Sequence, residues 1–304
     1  MDRLTSMATF VRCVERSSFS AVAREMRLTQ PTVSKLIASL ERHLGGKLFA
    51  RSTRHLALTA EGQRFYERCR AILDAVDTAE ASFKTGREEI AGALHIATSV
   101  SFGRTQVMSR MRAFMQRYPA LRIDLQLNDR FIDIVEEGVD IAFRIGELKD
   151  SNLIARRVGM THRVTVGAPD YFKRYGEPER PEDLKTHNCI VYTGLLSQDD
   201  WPYTRDGRAH PFRVSGSFQT NNGEAVRAAT LAGIGIALGP VWLLGEDIRA
   251  RRLKVILTEY RPKPVPIHAL SPPNRRNSAK VKACVDFFQA EFDVDPFVSG
   301  YRTQ

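Results

Sequence analysis

No two cysteines of this chain stand close enough for a CxxC pair or a ligand cluster. The four are Cys13, Cys69, Cys189 and Cys284. They read as reduced, mostly buried thiols of a cytosolic protein. The seven histidines form no HExxH and no His-rich tract, so neither a metal nor a cofactor is expected. The sequence also lacks a GxSxG and a P-loop, which argues against an enzyme. Gly233, Gly235 and Gly239 imitate a dinucleotide fingerprint, but they follow a helical pattern and lie in a strand pattern, the reverse of the required order. The opening MDRLTSMATFVRCVERSSF has no continuous apolar core of the signal-peptide kind. One uncharged run, AATLAGIGIALGPVWLLG over 228–245, approaches a membrane span in length. Its four glycines and Pro240 divide it into a helix end, an apolar strand and a second helix start. The expectation is a buried strand, a cytoplasmic protein and no membrane partner.

What is present is an ordinary apolar fraction, 43% of 304 residues, enough for sizeable cores. The net charge is +10, a balance that favours anionic partners such as nucleic acid. The charge is not spread evenly. Residues 1–64 carry eleven Lys/Arg against five acids, so a fifth of the chain holds more than half the excess. That concentration is the electrostatic footprint of a DNA-binding module.

Three zones follow. Residues 1–58 alternate short helical patterns with tight turns, 59–89 form one long helical pattern, and 90–304 alternate strands and helices. In the first zone Leu4, Met7, Phe10, Val11 and Val14 mark one helix face. Ser18 or Ser20 can cap a second, short helix. The third helix is LTQPTVSKLIASLERHLG, 28–45. Thr29 is its expected N-cap, and Pro31 falls in the first turn, where a missing N–H costs nothing. Val33, Leu36, Ile37, Leu40 and Leu44 form the inward stripe, leaving Pro31, Lys35 and Arg42 outside with Ser34 beside them and Gln30 at the tip. Gln bonds adenine edges, Lys guanine or phosphate, Ser either, and Pro can touch a thymine methyl. The candidate DNA contacts are Gln30, Pro31, Thr32, Ser34 and Lys35. Two short helices joined tightly, the second with such a face, describe a helix-turn-helix, although a solvated amphipathic helix would look the same by itself. KLFARSTRHLALT (47–59) then reads as a two-stranded wing whose tip bears Arg51, Thr53 and Arg54.

SFSAVAREMRLTQPTVSKLI (18–37), the L-G-x-x-L-F-x-R element at 44–51 and the L-T-x-x-G at 58–62 resemble the N-terminal signature of LysR-type transcriptional regulators. The likeness continues through DRFIDIVEEGVDIAFRIGEL (129–148) and so covers nearly the whole chain. One departure is Arg27, in the turn where many helix-turn-helix proteins place glycine. The resemblance implies an α+β multidomain fold: a winged helix-turn-helix (motif about 18–37), a linker helix, and a two-lobed α/β domain similar to periplasmic binding proteins. It implies no catalysis and a small effector in the cleft. The implied partners are double-stranded DNA, a second copy of the chain in a homodimer or homotetramer, and RNA polymerase at the promoter. The alternative classes are a ligand-binding protein without sequence-specific DNA binding and an enzyme of the two-lobed type.

In the linker pattern Phe65, Cys69, Ile72, Val76, Ala79 and Phe83 step by a period of 3.5, the seam of a paired helix. A helix lying on its own domain would show the same stripe. In the last zone the first lobe is expected over about 90–162 and 265–304, the second over about 163–264. A short helix is expected at FIDIVEEG (131–138) and a strand at FRVSGSFQT (212–220). Two such lobes place a cleft between strand ends and helix N-termini. Three helix starts are expected to face it: Thr98-Ser99-Val100-Ser101, Asn128-Asp129 and Thr220-Asn221-Asn222. Free N–H groups there favour an anion, most simply a carboxylate. Arg144, inside an apolar strand, is either a pocket cation or half of a structural ion pair.

Overall fold

The computed structural model describes residues 2–50, 56–85, 90–130, 133–135, 137–148, 152–194, 199–275 and 278–298. Its N-terminal part holds four helices: α1 (Arg3–Arg16), α2 (Phe19–Glu25), α3 (Gln30–Leu44) and α4 (Ala60–Thr85). Each begins where local chemistry lets it. Asp2 accepts from Leu4 N, Ser18 from Ala21 N, and Thr29 from Thr32 N, which satisfies amides that a helix start leaves without partners. Gly45, at φ +71°, ends α3. The three short helices close over Phe10, Val22, Val33 and Leu40, all at most 1% exposed. Phe10 sits among rings, 5.5 Å from Phe49 and 5.7 Å from Phe65.

The α/β part contains two five-stranded sheets and a separate hairpin. The first sheet runs β2 (Leu121–Leu127), β1 (Gly92–Thr98), β3 (Ile141–Ile145), β12 (Val265–Ser271), β4 (Ile154–Thr161). β1 and β3 are parallel, and β12 enters antiparallel between β3 and β4. The second runs β11 (Lys254–Ile256), β5 (Arg163–Gly167), β10 (Ile236–Pro240), β6 (Cys189–Tyr192), β9 (Phe218–Thr220). The chain leaves the first sheet at Thr161, enters the second at Arg163 and returns at Val265. The hairpin is β7 (Asp200–Arg205) and β8 (Arg208–Arg213).

The helices of the α/β part are α5 (Val100–Phe102), continued by a wide π turn over Gly103–Val107 into α6 (Met108–Arg117), then α7 (Pro169–Tyr175), α8 (Gly223–Leu231), α9 (Val241–Arg249) and α10 (Ala279–Val294). Three positions fix the first lobe. Asp140, fully buried, accepts from His95 N and lies 3.1 Å from Arg275 and 3.8 Å from Lys280. Phe143 stacks on Phe288 of α10 at 5.1 Å. Phe102 meets Phe292 at 5.7 Å and Trp242 of α9 at 5.2 Å, tying the first lobe to the second. Two expectations differ from the fold. The described residues of 131–138 form turns rather than a helix. The stretch 212–220 is not one strand but the end of β8 and all of β9.

Candidate nucleic-acid interface and ligand cavity

The turn between α2 and α3 is closed by Leu28 N donating to Ala23 O at 2.8 Å. Arg27 takes the glycine-like conformation there, at φ +55°. Burial of Val33, Ile37 and Leu40 fixes the rotation of α3, and the opposite face stays in solvent. Gln30, Pro31, Thr32 and Lys35 are exposed and Ser34 is half-buried. Ser20 Oγ of α2 donates to Gln30 Oε1 at 3.1 Å, so the amide at the tip of α3 is held from the neighbouring helix. Glu25 joins α2 to α1 by accepting from Arg12 Nε at 2.7 Å and Arg16 Nε at 2.9 Å. Burial pushes its pKa up, but the two guanidinium groups prevail and hold it below the ordinary value.

The wing is anchored at its root. Phe49 pairs with Leu58 antiparallel and Ala50 N donates to Ala57 O at 2.8 Å. Its tip, with Arg51, Thr53 and Arg54, lies outside the described residues. Glu41, buried at the end of α3, accepts from Leu48 N at 2.9 Å and Lys47 Nζ at 2.5 Å. Thr59 Oγ1 donates to Lys47 O at 2.7 Å and accepts from Gly62 N at 2.9 Å. A side chain on Gly62 has no room, because a Cβ there would stand 2.1 Å from Leu48 O. The L-T-x-x-G motif is therefore a splice that fixes the wing to the first turn of α4.

α4 spans 26 residues, a reach of about 40 Å. Its 3.5-period seam divides. Cys69 is 0% exposed in the core of the N-terminal part, and the half-buried Phe65 packs against that core, so Cys69 is not available to a partner. That corrects the expectation of a six-residue dimer seam; the helix lies on its own domain over its first half. Ile72, Ala79 and Phe83 are exposed and Val76 is half-buried.

Between the two sheets lies a cavity of about 200 Å³. Ser99, Ser101 and Arg144 line it. Thr98, Val100, Asn128, Thr220 and Asn221 do not; the three expected segments reach the cavity through Ser99 and Ser101, Asp129 and Gly223 instead, and the one at Asn128-Asp129 opens no helix among the described residues. Each of the five has a local reason. Thr98 is 2% exposed at the end of β1. Val100 N donates to Asp129 Oδ1 at 2.9 Å. Asn128 Oδ1 turns back to Arg130 N, Thr220 Oγ1 to Asn222 N, and Asn221 is exposed.

The starts are closed by one another. Asn222 caps α8 by accepting from Ala225 N at 3.0 Å and donates to Asp129 Oδ2 at 2.9 Å. Ser101 Oγ accepts from Glu224 N at 3.1 Å. With Gln106 Nε2 donating to Trp242 O at 3.1 Å, these bonds bridge the two lobes. Sequence reasoning missed Asp129 as a capping anion, and missed Arg163, Tyr192, Trp201 and Trp242, which line the cavity. Burial lowers the pKa of Arg144 and of Arg163. Burial raises that of Tyr192, and the negative charge of Asp129 adds to it. For Arg163 the one available signal was its place at the crossing between lobes.

Among the described residues no three His, Cys, Asp or Glu side chains gather as metal ligands, and no helix is long and apolar enough to cross a membrane. All four cysteines are free and buried, and burial pushes Cys13, Cys69 and Cys189 up to about 12.

Two family models match this chain: bacterial regulatory helix-turn-helix protein, lysR family, over residues 4–63, and LysR substrate binding domain over 87–293. An uncharacterized HTH-type transcriptional regulator of Haemophilus influenzae is 33% identical over 281 residues, covering 92% of this chain and 98% of the relative. The HTH-type transcriptional regulator DmlR of Escherichia coli is 33% identical over 295 residues, covering 95% and 94%. The solved structure of CrgA from Neisseria meningitidis, described as a LysR-type transcriptional regulator, is 30% identical with a TM-score of 0.63, covering 94% and 98%.

Proposed function

Because the chain belongs to the LysR-type family of transcriptional regulators, which are not enzymes, we propose that it binds operator DNA as a dimer or tetramer and responds to a small anionic effector. The single observation that carries the DNA reading is the exposed polar face of α3, with Gln30 held by Ser20 at its tip. In this reading α3 enters the major groove, where Gln30 reads an adenine edge and Lys35 a guanine or phosphate. Arg51 and Arg54 hold phosphates or the minor groove from the wing tip. The face of the second half of α4 that carries Ile72, Val76, Ala79 and Phe83 pairs two copies and so sets the spacing of two half-sites. The effector occupies the cavity between the lobes, where it biases lobe closure and so the geometry of the DNA-bound assembly. RNA polymerase is then a partner of the bound complex, and the protein works in the cytoplasm.

The test is a gel-shift with the intergenic DNA beside the protein's own gene, against a scrambled duplex of equal length. A complex on the intergenic fragment that resists the scrambled competitor supports the reading. Equal competition by both duplexes turns it toward a ligand-binding protein without sequence-specific DNA binding.

A further inference from the structure

Resting on the reading of the cavity as the effector site, we infer that the effector is a monocarboxylate with an apolar body the size of one ring, and that Arg163 is the cation that holds it. The charges around the cavity lead to this assignment. Among the described residues four charged side chains line it: Asp129, Arg144, Arg163 and Asp200. Asp129 is occupied by Val100 N and the Asn222 amide. Asp200 is exposed and lies opposite Arg213 in the β7–β8 ladder. Arg144 is already engaged within the protein. Arg163 is different: its Nε is buried with no hydrogen-bond partner among the described residues. A guanidinium Nε–H taken from water without an acceptor is destabilising, while the rest of the half-buried side chain stays open to the cavity. A ligand carboxylate would supply the missing acceptors, and its two oxygens match the fork of an arginine.

The remaining lining sets the body of the ligand. Phe143, Leu238, Val226, Leu244, Trp201 and Trp242 all face the cavity, and none of them carries a charge. An apolar cavity of about 150 Å³ accepts one benzene ring, so the volume of about 200 Å³ here suits a ring with a carboxylate. Ser101 Oγ accepts from Glu224 N, and a hydroxyl that accepts still has its own proton to give to a ligand oxygen. A second negative charge on the ligand would face the like charge of Asp129, with the remaining lining cation, Arg144, already engaged within the protein. The helix starts are not the anion site, because Asp129 and Ser101 already close them.

The experiment measures thermal stability of the full-length protein with benzoate, cyclohexanecarboxylate, neutral benzamide and dianionic phthalate. Each is added at about 10 mM, where a ligand of submillimolar affinity raises Tm. Wild type is compared with Arg163→Met, Arg163→Lys, Ser99→Ala and the cavity-filling Leu238→Trp. The two monoacids should raise Tm, and benzamide and phthalate should not. Arg163→Met should abolish the shift, while the ligand-free protein melts no lower than wild type because an unpaired charge has been removed. Arg163→Lys should keep part of the response, and Ser99→Ala nearly all of it. A benzoate shift retained in Arg163→Met, an equal shift with benzamide, or no shift from either acid overturns the inference. The cleft reading fails separately: it falls if a compound that stabilises wild type stabilises Leu238→Trp equally. A neutral compound whose shift is lost only in Leu238→Trp keeps the cleft and overturns the anion.

Discussion

A non-glycine residue in the left-handed region costs roughly 1–2 kcal/mol, and Arg27 bears that cost at φ +55° in the turn of the DNA-binding motif. The sequence raised this position as the departure from the family pattern; the backbone keeps the turn and strains the residue. Gly62 is the opposite case, since a Cβ there meets Leu48 O at 2.1 Å. Arg27→Gly should therefore raise the stability of the N-terminal part by up to about 1 kcal/mol, after the loss of unfolded-state restriction. Gly62→Ala should lower it by roughly 1–3 kcal/mol. Urea denaturation of the two variants checks both signs at once. Capping residues such as Thr29 were legible because their chemistry acts within three positions along the chain. Arg163 was not, because its meaning depends on what surrounds it in space, with Asp129 and Asp200 on other elements.

Elements were readable where pattern and turn chemistry agreed. α3, α8, β5 and β10 follow the spacing of their apolar residues. The β7–β8 hairpin went unread despite the Asp206-Gly207 pair, both at positive φ, a strong hairpin signal. Pro202 and Pro211 weaken the strand signal there, yet they sit opposite each other in a two-stranded ladder, where each strand has a free edge that tolerates proline. β4 was missed because its exposed Arg156 and Arg157 break the apolar alternation. The join between α8 and α9 offers a pH test. Asp247, 0% exposed, accepts from Arg227 Nε at 2.5 Å and Arg252 Nε at 2.9 Å. Burial raises its pKa, but the two arginines prevail and hold it below the ordinary carboxylate value. A depressed folded pKa gives stability that is present above the unfolded value near pH 3.9 and lost as pH falls through the folded one. Asp247→Asn should cost about 1.5–3 kcal/mol at pH 7. The gap from wild type should narrow once the pH drops below about 4, as measured by denaturation across pH 2.5 to 7.

At the scale of the whole molecule the account joins a DNA-reading helix, a pairing helix and a ligand cavity in one chain. The division of α4 separates two of these roles. Cys69→Asp places a charge in the N-terminal core and should unfold that part. Val76→Asp should leave its melting unchanged while dissociating the assembly at a cost of several kcal/mol, read by sedimentation. Retention of the full oligomer in Val76→Asp would move the pairing surface elsewhere. The family was legible from the first 62 residues, where short motifs carry their own geometry. The cavity was legible only as a place, because its contacts come from segments more than a hundred residues apart. The central claim, that α3 reads sequence, is tested most directly by the affinity of Gln30→Ala for the operator and for a scrambled duplex at two salt concentrations. The account predicts a loss of about 1–3 kcal/mol on the operator and none on the scrambled duplex. Arg54→Ala, by contrast, should weaken both duplexes and lower the salt slope by about 1. Operator affinity unchanged in both variants would contradict it.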